Sequence, residues 1–488
     1  MNTKRFSVII FLLVGLIMPI TLPRAAQVDQ TAIPIAPPTA EPNPRFGAAL
    51  AMADIDNDGL ADLVVGAPNA DVASQTDAGQ AFVYLSRLGL ERSTPRILQA
   101  STPVAEAHFG AVLLTGDVNN DRIPDILVGA PGDTAGGQSK AGRVYVFHGG
   151  AMFDTTADRV LQAPAPQAGA RFGVSIAVGD FNGGGNDIVV GANLTDITTT
   201  GTDQMMTTTV DAGQAFVFFG PAFDRLTTTL QAATPEAGAR FGTSVAAANL
   251  NADTFADVVV GGDRTNVTTG TTTQINAGEA VAFYGAMTAM DAMTGIDTTV
   301  DVTLRGATVQ SGTAFARTMI GGDVNGDGMD DVVVGAPLFD ASNSLRDVGE
   351  AYVFLAAMNI SATPTASATV RGAFTSPSYF GTSLALGDVD GDAIVDIIAG
   401  APGTEVSNLA NAGRAFIVLS GAPFTGVLNA NIVLSAPMPT SNSGFGQAVA
   451  AGDINGDTLA DVVIGAPGIN RVYIFLANAP VVPSKRNN

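Results

Sequence analysis

The stretch DVNGDGMDD, Asp323 to Asp331, carries oxygen-bearing side chains at its first, third, fifth and ninth places and glycine at its sixth. It has close relatives along the chain: DIDNDGLAD (Asp54 to Asp62), DVNNDRIPD (Asp117 to Asp125), DVDGDAIVD (Asp388 to Asp396) and DINGDTLAD (Asp453 to Asp461). Two weaker copies, DFNGGGND (Asp180 to Asp187) and NLNADTFAD (Asn249 to Asp257), lie between the second and the fifth. Seven copies recur at steps of 63 to 74 residues. Self-similarity at so long a period decides the architecture before any local reading does.

Around each loop the same parts repeat. In the first repeat, Phe46 to Ala53 is small and apolar, Leu63 to Val65 is a short apolar run closed by Gly66-Ala67-Pro68, and Gln80 to Leu85 and Arg96 to Ala100 are strand-like. Short apolar strands separated by Gly, Pro and Asp read as antiparallel β-structure. Past the N-terminal segment no stretch shows helical periodicity. Four strands per repeat make a propeller blade, which buries its faces only against neighbouring blades. The last repeat ends at its third strand, Arg471 to Leu476. Ile35 precedes Phe46 by the same eleven residues that separate Leu98 from Phe109. The strand Ile33 to Ala36 is therefore expected to complete the last blade. The fold expected is all-β: a seven-bladed β-propeller of four-stranded antiparallel blades, closed by the N-terminal strand. Residues 27–476 form it, with repeats starting near 46, 109, 172, 241, 315, 380 and 445, and residues 477–488 form a C-terminal tail.

Phe-Gly recurs at 46–47, 109–110, 172–173, 241–242, 380–381 and 445–446, and Gly-Ala-Pro at 66–68, 129–131, 335–337, 400–402 and 465–467. This pattern resembles the FG-GAP repeat, found in the propeller at the head of integrin α chains and in many bacterial exported proteins. Three departures stand out: Phe315-Ala316 in the fifth repeat, Asn193 for proline in the third, and Gly262-Asp263 for Ala-Pro in the fourth. The resemblance implies that the acidic hairpins join the first two strands of a blade and bind calcium. It also implies that ligands meet the opposite face.

The loops are not EF-hands. Those need a bidentate Glu at the twelfth place and flanking helices; here the twelfth residue is Val65, Val128, Val334, Ala399 or Ile464. The closing acid is the ninth residue, and the backbone carbonyl of the seventh is expected to face inward. About five to six Ca2+ sites are expected. The fullest ligand sets are Asp54, Asp56, Asp58, Leu60 and Asp62; Asp323, Asn325, Asp327, Met329 and Asp331; and Asp388, Asp390, Asp392, Ile394 and Asp396. Next come Asp453, Asn455, Asp457, Leu459 and Asp461, then Asp117, Asn119, Asp121, Ile123 and Asp125. Asn249, Asn251, Asp253 and Asp257 carry less charge, and the third loop has Gly184 where an oxygen is wanted, so a plain polar turn is expected there. Two carboxylates 4 Å apart repel by ~1 kcal/mol in water and ~4 kcal/mol at an effective dielectric of 20. Hard oxygen donors in such numbers suit calcium.

Composition agrees. The chain carries a net charge of −22, and 22 of its 45 acids lie in the seven loops, which concentrates charge as cation sites do. No basic nucleic-acid footprint exists. Cysteine is absent, so packing or metal must replace disulfides. Lys4, Arg5 and the apolar run Val8 to Ile20 read as a secretory signal over residues 1–26, with an uncleaved anchor as the alternative. A secreted or cell-surface location follows, with no membrane span after cleavage.

Catalytic signals are weak. His108 takes the place of Arg45, Arg171 and Arg240, and His148 follows a strand; neither has a partner visible in the sequence. Arg143, Arg414 and Arg471 recur at one phase of the third strand, and GDTAGG near Gly132 is a lone glycine-rich loop. The segments after the second strand vary most: Asn193 to Ala212 and Asp263 to Ala277 are long and Thr-rich, and Gly468 to Asn470 is very short. Variable loops on a rigid ring are where recognition sits. The expected function is binding of a protein or glycan at the cell surface or matrix, without catalysis. A polysaccharide-acting enzyme and a purely structural envelope component are the alternatives.

Overall fold

The computed structural model describes residues 27–478, except 40, 42, 91–92, 201–204, 222, 224–227, 287–294, 373–375 and 422–423. The segment 1–26, expected to be a secretory signal, lies outside the described residues. No helix among them is long and apolar enough to cross a membrane.

Each repeat folds into one antiparallel sheet. The first blade pairs Leu50–Ala53, Asp62–Ala67, Gln80–Tyr84 and Arg96–Leu98 in chain order. In every blade the second strand runs from the closing acid of the loop and is buried throughout, as in Asp331–Ala336. A strand sandwiched between two neighbouring blades loses the apolar/polar alternation of a half-exposed strand. In the last blade Ile33–Ile35 pairs with Arg471–Phe475, with Ile33 opposite Ile474 and Ile35 opposite Val472. Pro34 is tolerated because this strand is an edge. Ala477–Asn478, within the expected tail, pairs with Gln27–Val28 and ties both ends of the described chain together. The outer strand of blade five, Ala368–Arg371, gains a fifth, parallel strand, Gly426–Asn429, lent by blade six.

The paired motifs owe their chemistry to the blade interfaces. Phe46, Phe109, Phe172 and Phe445 are fully buried, and the Phe109 ring packs tilted against Tyr145, centroids 5.2 Å apart. The glycine after the phenylalanine turns the chain at positive φ: +88° at Gly47, whose N–H donates to the Gly66 carbonyl at 2.9 Å. Its own carbonyl presses on the second-strand glycine of the preceding blade. A Cβ at Gly465 would sit 2.0 Å from the Gly47 oxygen, and one at Gly66 2.1 Å from the Gly110 oxygen. Phe-Gly of one blade and Gly-Ala-Pro of its neighbour are thus two halves of one contact, which the last and first blades also make. Ala316 holds the turn of blade five at φ +62°, where an L-residue with a Cβ is strained.

Hydroxyls latch four interfaces. Ser175, Ser244, Thr318 and Ser383 donate to the carbonyls of Gly242, Ala316, Gly381 and Gly446 at 2.6 to 2.9 Å. The first strands line an axial channel of about 420 Å³ with side chains such as Leu50, Leu113, Ile176, Met319, Leu384 and Val449.

Candidate metal centres and the opposite face

The hairpins lie at one end of the ring, where first strands turn into second strands. Two of them bring three carboxylates together: Asp54, Asp56 and Asp58, and Asp388, Asp390 and Asp392, each group with ligand oxygens within 4.8 Å of one another. Burial and the neighbouring acids push Asp56 and Asp390 above the usual carboxylate range. Both oxygens of Asp56 are buried and accept no hydrogen bond, although the Arg87 guanidinium stands 3.2 Å from one of them. Orphaned buried oxygens beside two further carboxylates fit a hard divalent cation, which these residues could hold.

In the second, fourth and fifth hairpins the third-place asparagine amide acts as an internal donor. Asn119, Asn251 and Asn325 donate to the fifth-place Asp121, Asp253 and Asp327 at 2.9 to 3.0 Å. Asn249 donates to the Asp253 carbonyl at 2.6 Å, while its own amide oxygen is buried without a partner. In the seventh hairpin the Asn455 oxygen accepts the Asp457 N–H at 2.9 Å. The first-place acids shape the turns by accepting backbone N–H groups: Asp323 those of Gly326, Asp327 and Gly328, and Asp54 those of Asp58 and Gly59. Asp117, Asp388 and Asp453 do the same.

The ninth-place acids do more than the sequence reading assigned to them. Each is fully buried and joins the hairpin to the end of the third strand. Asp62 accepts the N–H of Ile55 at 3.0 Å and of Ser86 at 2.8 Å. Asp331 accepts those of Val324 and Ala356, Asp396 those of Val389 and Ser420, and Asp461 those of Ile454 and Ala477. Asp125 and Asp257 follow the pattern. So does Asp187, with Phe181 and Gly220, in the third loop, where Gly184 replaces an oxygen ligand. The acid that persists in the depleted loop was the available sequence signal for this second role. Burial pushes Asp62 and Asp461 up to about 6 and Asp187, Asp257, Asp331 and Asp396 up to about 7, with the backbone donors pulling the other way.

The seventh-place side chains also pack between blades. Leu60 lies over Gly456, Ile394 over Gly326 and Leu459 over Gly391, so each reaches the hairpin of the preceding blade. The N–H of Ile123 and of Met329 donates to the fifth-place acid. Carbonyls of the first place link some neighbouring hairpins: Ala61 donates to Asp453, Ala460 to Asp388 and Ala256 to Asp180, at 2.8, 2.7 and 2.9 Å.

On the opposite face, the glycine-rich segment at Gly132 is a short turn bridged between Ala135 and Gln138, matched by Val72 and Gln75 in blade one. Asn193 to Ala212 and Asp263 to Ala277 contain two-stranded hairpins, Ile197–Thr200 with Met206–Thr209 and Val267–Thr269 with Thr272–Gln274. His108 Nδ1 lies 3.2 Å from the Pro68 carbonyl. His148 does have an acidic neighbour, Asp158 at 3.8 Å, unlike the sequence expectation. Arg143 approaches buried Asp133 at 3.8 Å, a contact that fits a blade-packing residue.

The FG-GAP repeat model matches residues 46–84, 109–147, 315–354, 380–418 and 445–475. The chain carries five FG-GAP repeats, set in a seven-bladed propeller. The matches fall on five of its seven blades. The third and fourth blades, which carry the depleted loops and the inserted hairpins, fall outside them. Integrin alpha-5 of Xenopus laevis is 30% identical over 254 residues, 51% of this chain and 22% of that protein. Integrin alpha-PS5 of Drosophila melanogaster is 35% identical over 178 residues, 36% of this chain and 17% of that protein. Phosphatidylinositol-glycan-specific phospholipase D of Bos taurus is 36% identical over 116 residues, 24% of this chain and 14% of that protein. This FG-GAP chain spans less than a quarter of the length of these relatives.

Proposed function

We propose that the chain is a calcium-stabilised, non-catalytic binding module that acts outside the cytoplasm, at a cell surface or matrix, on a protein or glycan ligand. One observation carries the metal part: Asp56 is buried, without hydrogen bonds, between Asp54 and Asp58. The sites best furnished for calcium are those of blades one and six, with Asp62 and Asp396 completing each set. The loops of blades two, four, five and seven are next. Rigid hairpins on one face leave the other face, with its varied connections, for recognition. The similarity to integrin α chains supports a surface role, and the N-terminal apolar segment supports export.

The reading is tested by presenting immobilised protein to arrayed glycans and cell-surface proteins, with calcium and then with chelator. Saturable binding that weakens in chelator is expected. Self-association alone, with no saturable foreign ligand, would replace the binding module with a structural component.

A further inference from the structure

The residue before each buried phenylalanine is Arg45, His108, Arg171 and Arg240 in blades one to four, but Ala314, Tyr379 and Gly444 in blades five to seven. All seven hold positive φ, between 51° and 62°. Backbone geometry does not ask for arginine there, since a left-handed residue with a Cβ costs roughly 1 kcal/mol and Gly or Asn would serve better. Four long cationic or titratable side chains at a strained position need another reason.

The charges are also left open. Lys140 is paired with Glu106 at 2.6 Å, and Arg317 with buried Asp263 at 3.3 Å. Arg45, Arg171, Arg240 and Arg264 form no ion pair among the described residues. Arg45, Arg171 and Arg264 are exposed, and Arg240 is half-buried. Burial and then Arg264, Arg317 and Arg171 lower the Arg240 pKa, partly offset by Asp263, so these guanidinium groups share one field. Between the first three blades lies a cleft of about 320 Å³, lined in part by Arg45, Asn69, Glu106, His108, Lys140 and Arg171. At the next interface the Asn193 amide donates to Thr243 at 3.2 Å, and its buried oxygen has no partner. In a chain of net charge −22, this is a concentration of unpaired positive charge on the face away from the acidic hairpins.

We propose that this arc binds an acidic polysaccharide, a glycan bearing carboxylates or sulfates at regular intervals, laid across blades one to four. The unpaired arginines are spread over blades one, three and four rather than set around one point, so they match a chain with repeating charge. Asn69, in the lining of the cleft, offers an amide suited to sugar hydroxyls. The stacking aromatics of a single-stranded nucleic-acid site are not among the arc residues. The acidic remainder of the surface repels polyanions elsewhere and orients them towards the arc. The proposal rests on the binding-module reading and names its ligand class.

The test measures binding of polygalacturonate and of heparin to the calcium-loaded protein between 50 and 200 mM salt, with dextran as neutral control. Four charge contacts predict an affinity loss of roughly fifty-fold across that range, at a slope near 0.7 per charge for a single-stranded polyanion. R171E and R240E should each weaken binding at least tenfold. R159E, the same charge change on the exposed outer strand of blade two, should leave it within twofold, with all melting temperatures matched. Equal loss in R159E, no binding of either glycan, or tighter binding of an acidic oligopeptide of matched charge would overturn the proposal. Binding of dextran or of an uncharged protein ligand would overturn it while leaving the binding-module reading intact. Absence of any saturable ligand would remove both.

Discussion

Gly465→Ala tests the closure of the ring. Gly465 lies mid-ladder in the second strand of the last blade, between residues paired on both sides. In an ordinary strand Gly→Ala stabilises by about 0.4–1 kcal/mol, because the unfolded chain loses freedom. Here the new Cβ would lie 2.0 Å from the Gly47 oxygen, against 3.4 Å or more for ordinary contact. The neighbour is backbone, so no rotamer change relieves it, and blades seven and one must part by more than 1 Å. Parting would stretch the Ala61 N–H to Asp453 bond, now 2.8 Å, and the Phe46 N–H to Asn470 Oδ1 bond, now 3.2 Å. Two hydrogen bonds at about 1 kcal/mol each and an overpacking cost of about 1–3 kcal/mol give a net loss of roughly 3 kcal/mol. With an unfolding entropy of about 2.1 cal/mol/K per residue over roughly 450 residues, 1 kcal/mol corresponds to ~1 °C. Scanning calorimetry should therefore show a fall of ~3 °C, matched by Gly400→Ala, whose Cβ would meet the Gly446 oxygen at 2.0 Å. If Gly400→Ala lowers the transition and Gly465→Ala leaves it unchanged or raises it, the last and first blades do not meet as described.

Other substitutions probe single links. Ala316→Gly relieves the one strained Phe-Ala turn and should stabilise by about 0.5–1 kcal/mol in urea unfolding, unlike an Ala→Gly change in a strand. Ser244→Ala and Ser383→Ala should each cost about 1 kcal/mol by the same assay, because the Ala316 and Gly446 carbonyls lose their hydroxyl donors. Asp187 tests the ninth-place link away from the strongest metal sets. Burial raises it to about 7, so its stabilising contribution is full below about pH 4 and is lost as pH rises through 7. The stability advantage of wild type over Asp187→Asn should shrink across that window in pH-dependent urea titrations.

Much of this was legible because the repeat fixes phase. The Phe-Gly and Gly-Ala-Pro positions located the blades, and the spacing of Ile35 from Phe46 located the closing strand. What the motifs do to one another was not legible. The contact between Gly465 and Gly47 joins residues more than four hundred positions apart, and only the ring brings them together. The sequence marks the ninth acids as ligands alone, since a backbone partner such as the Ser86 N–H leaves no side-chain signature. The Thr-rich segments show no clear alternation, so their hairpins leave no signal in the sequence. Arg45, Arg171 and Arg240 are equivalent in the sequence, but their shared face and their lack of ion pairs among the described residues emerge only from the fold.

The most direct measurement is thermal unfolding of the chain from Gln27 onward in excess calcium and then in chelator. A ligand held by the native state at a hundredfold excess over its Kd adds about 2.7 kcal/mol per site. Several sites should raise the transition by more than 5 °C at ~1 °C per kcal/mol. Asp56→Asn with Asp390→Asn should remove part of that rise and leave the chelated transition unchanged or higher, because mutual repulsion is relieved. An identical transition with and without calcium would contradict the account: the acidic hairpins would then be solvated turns on a propeller that packing alone sustains.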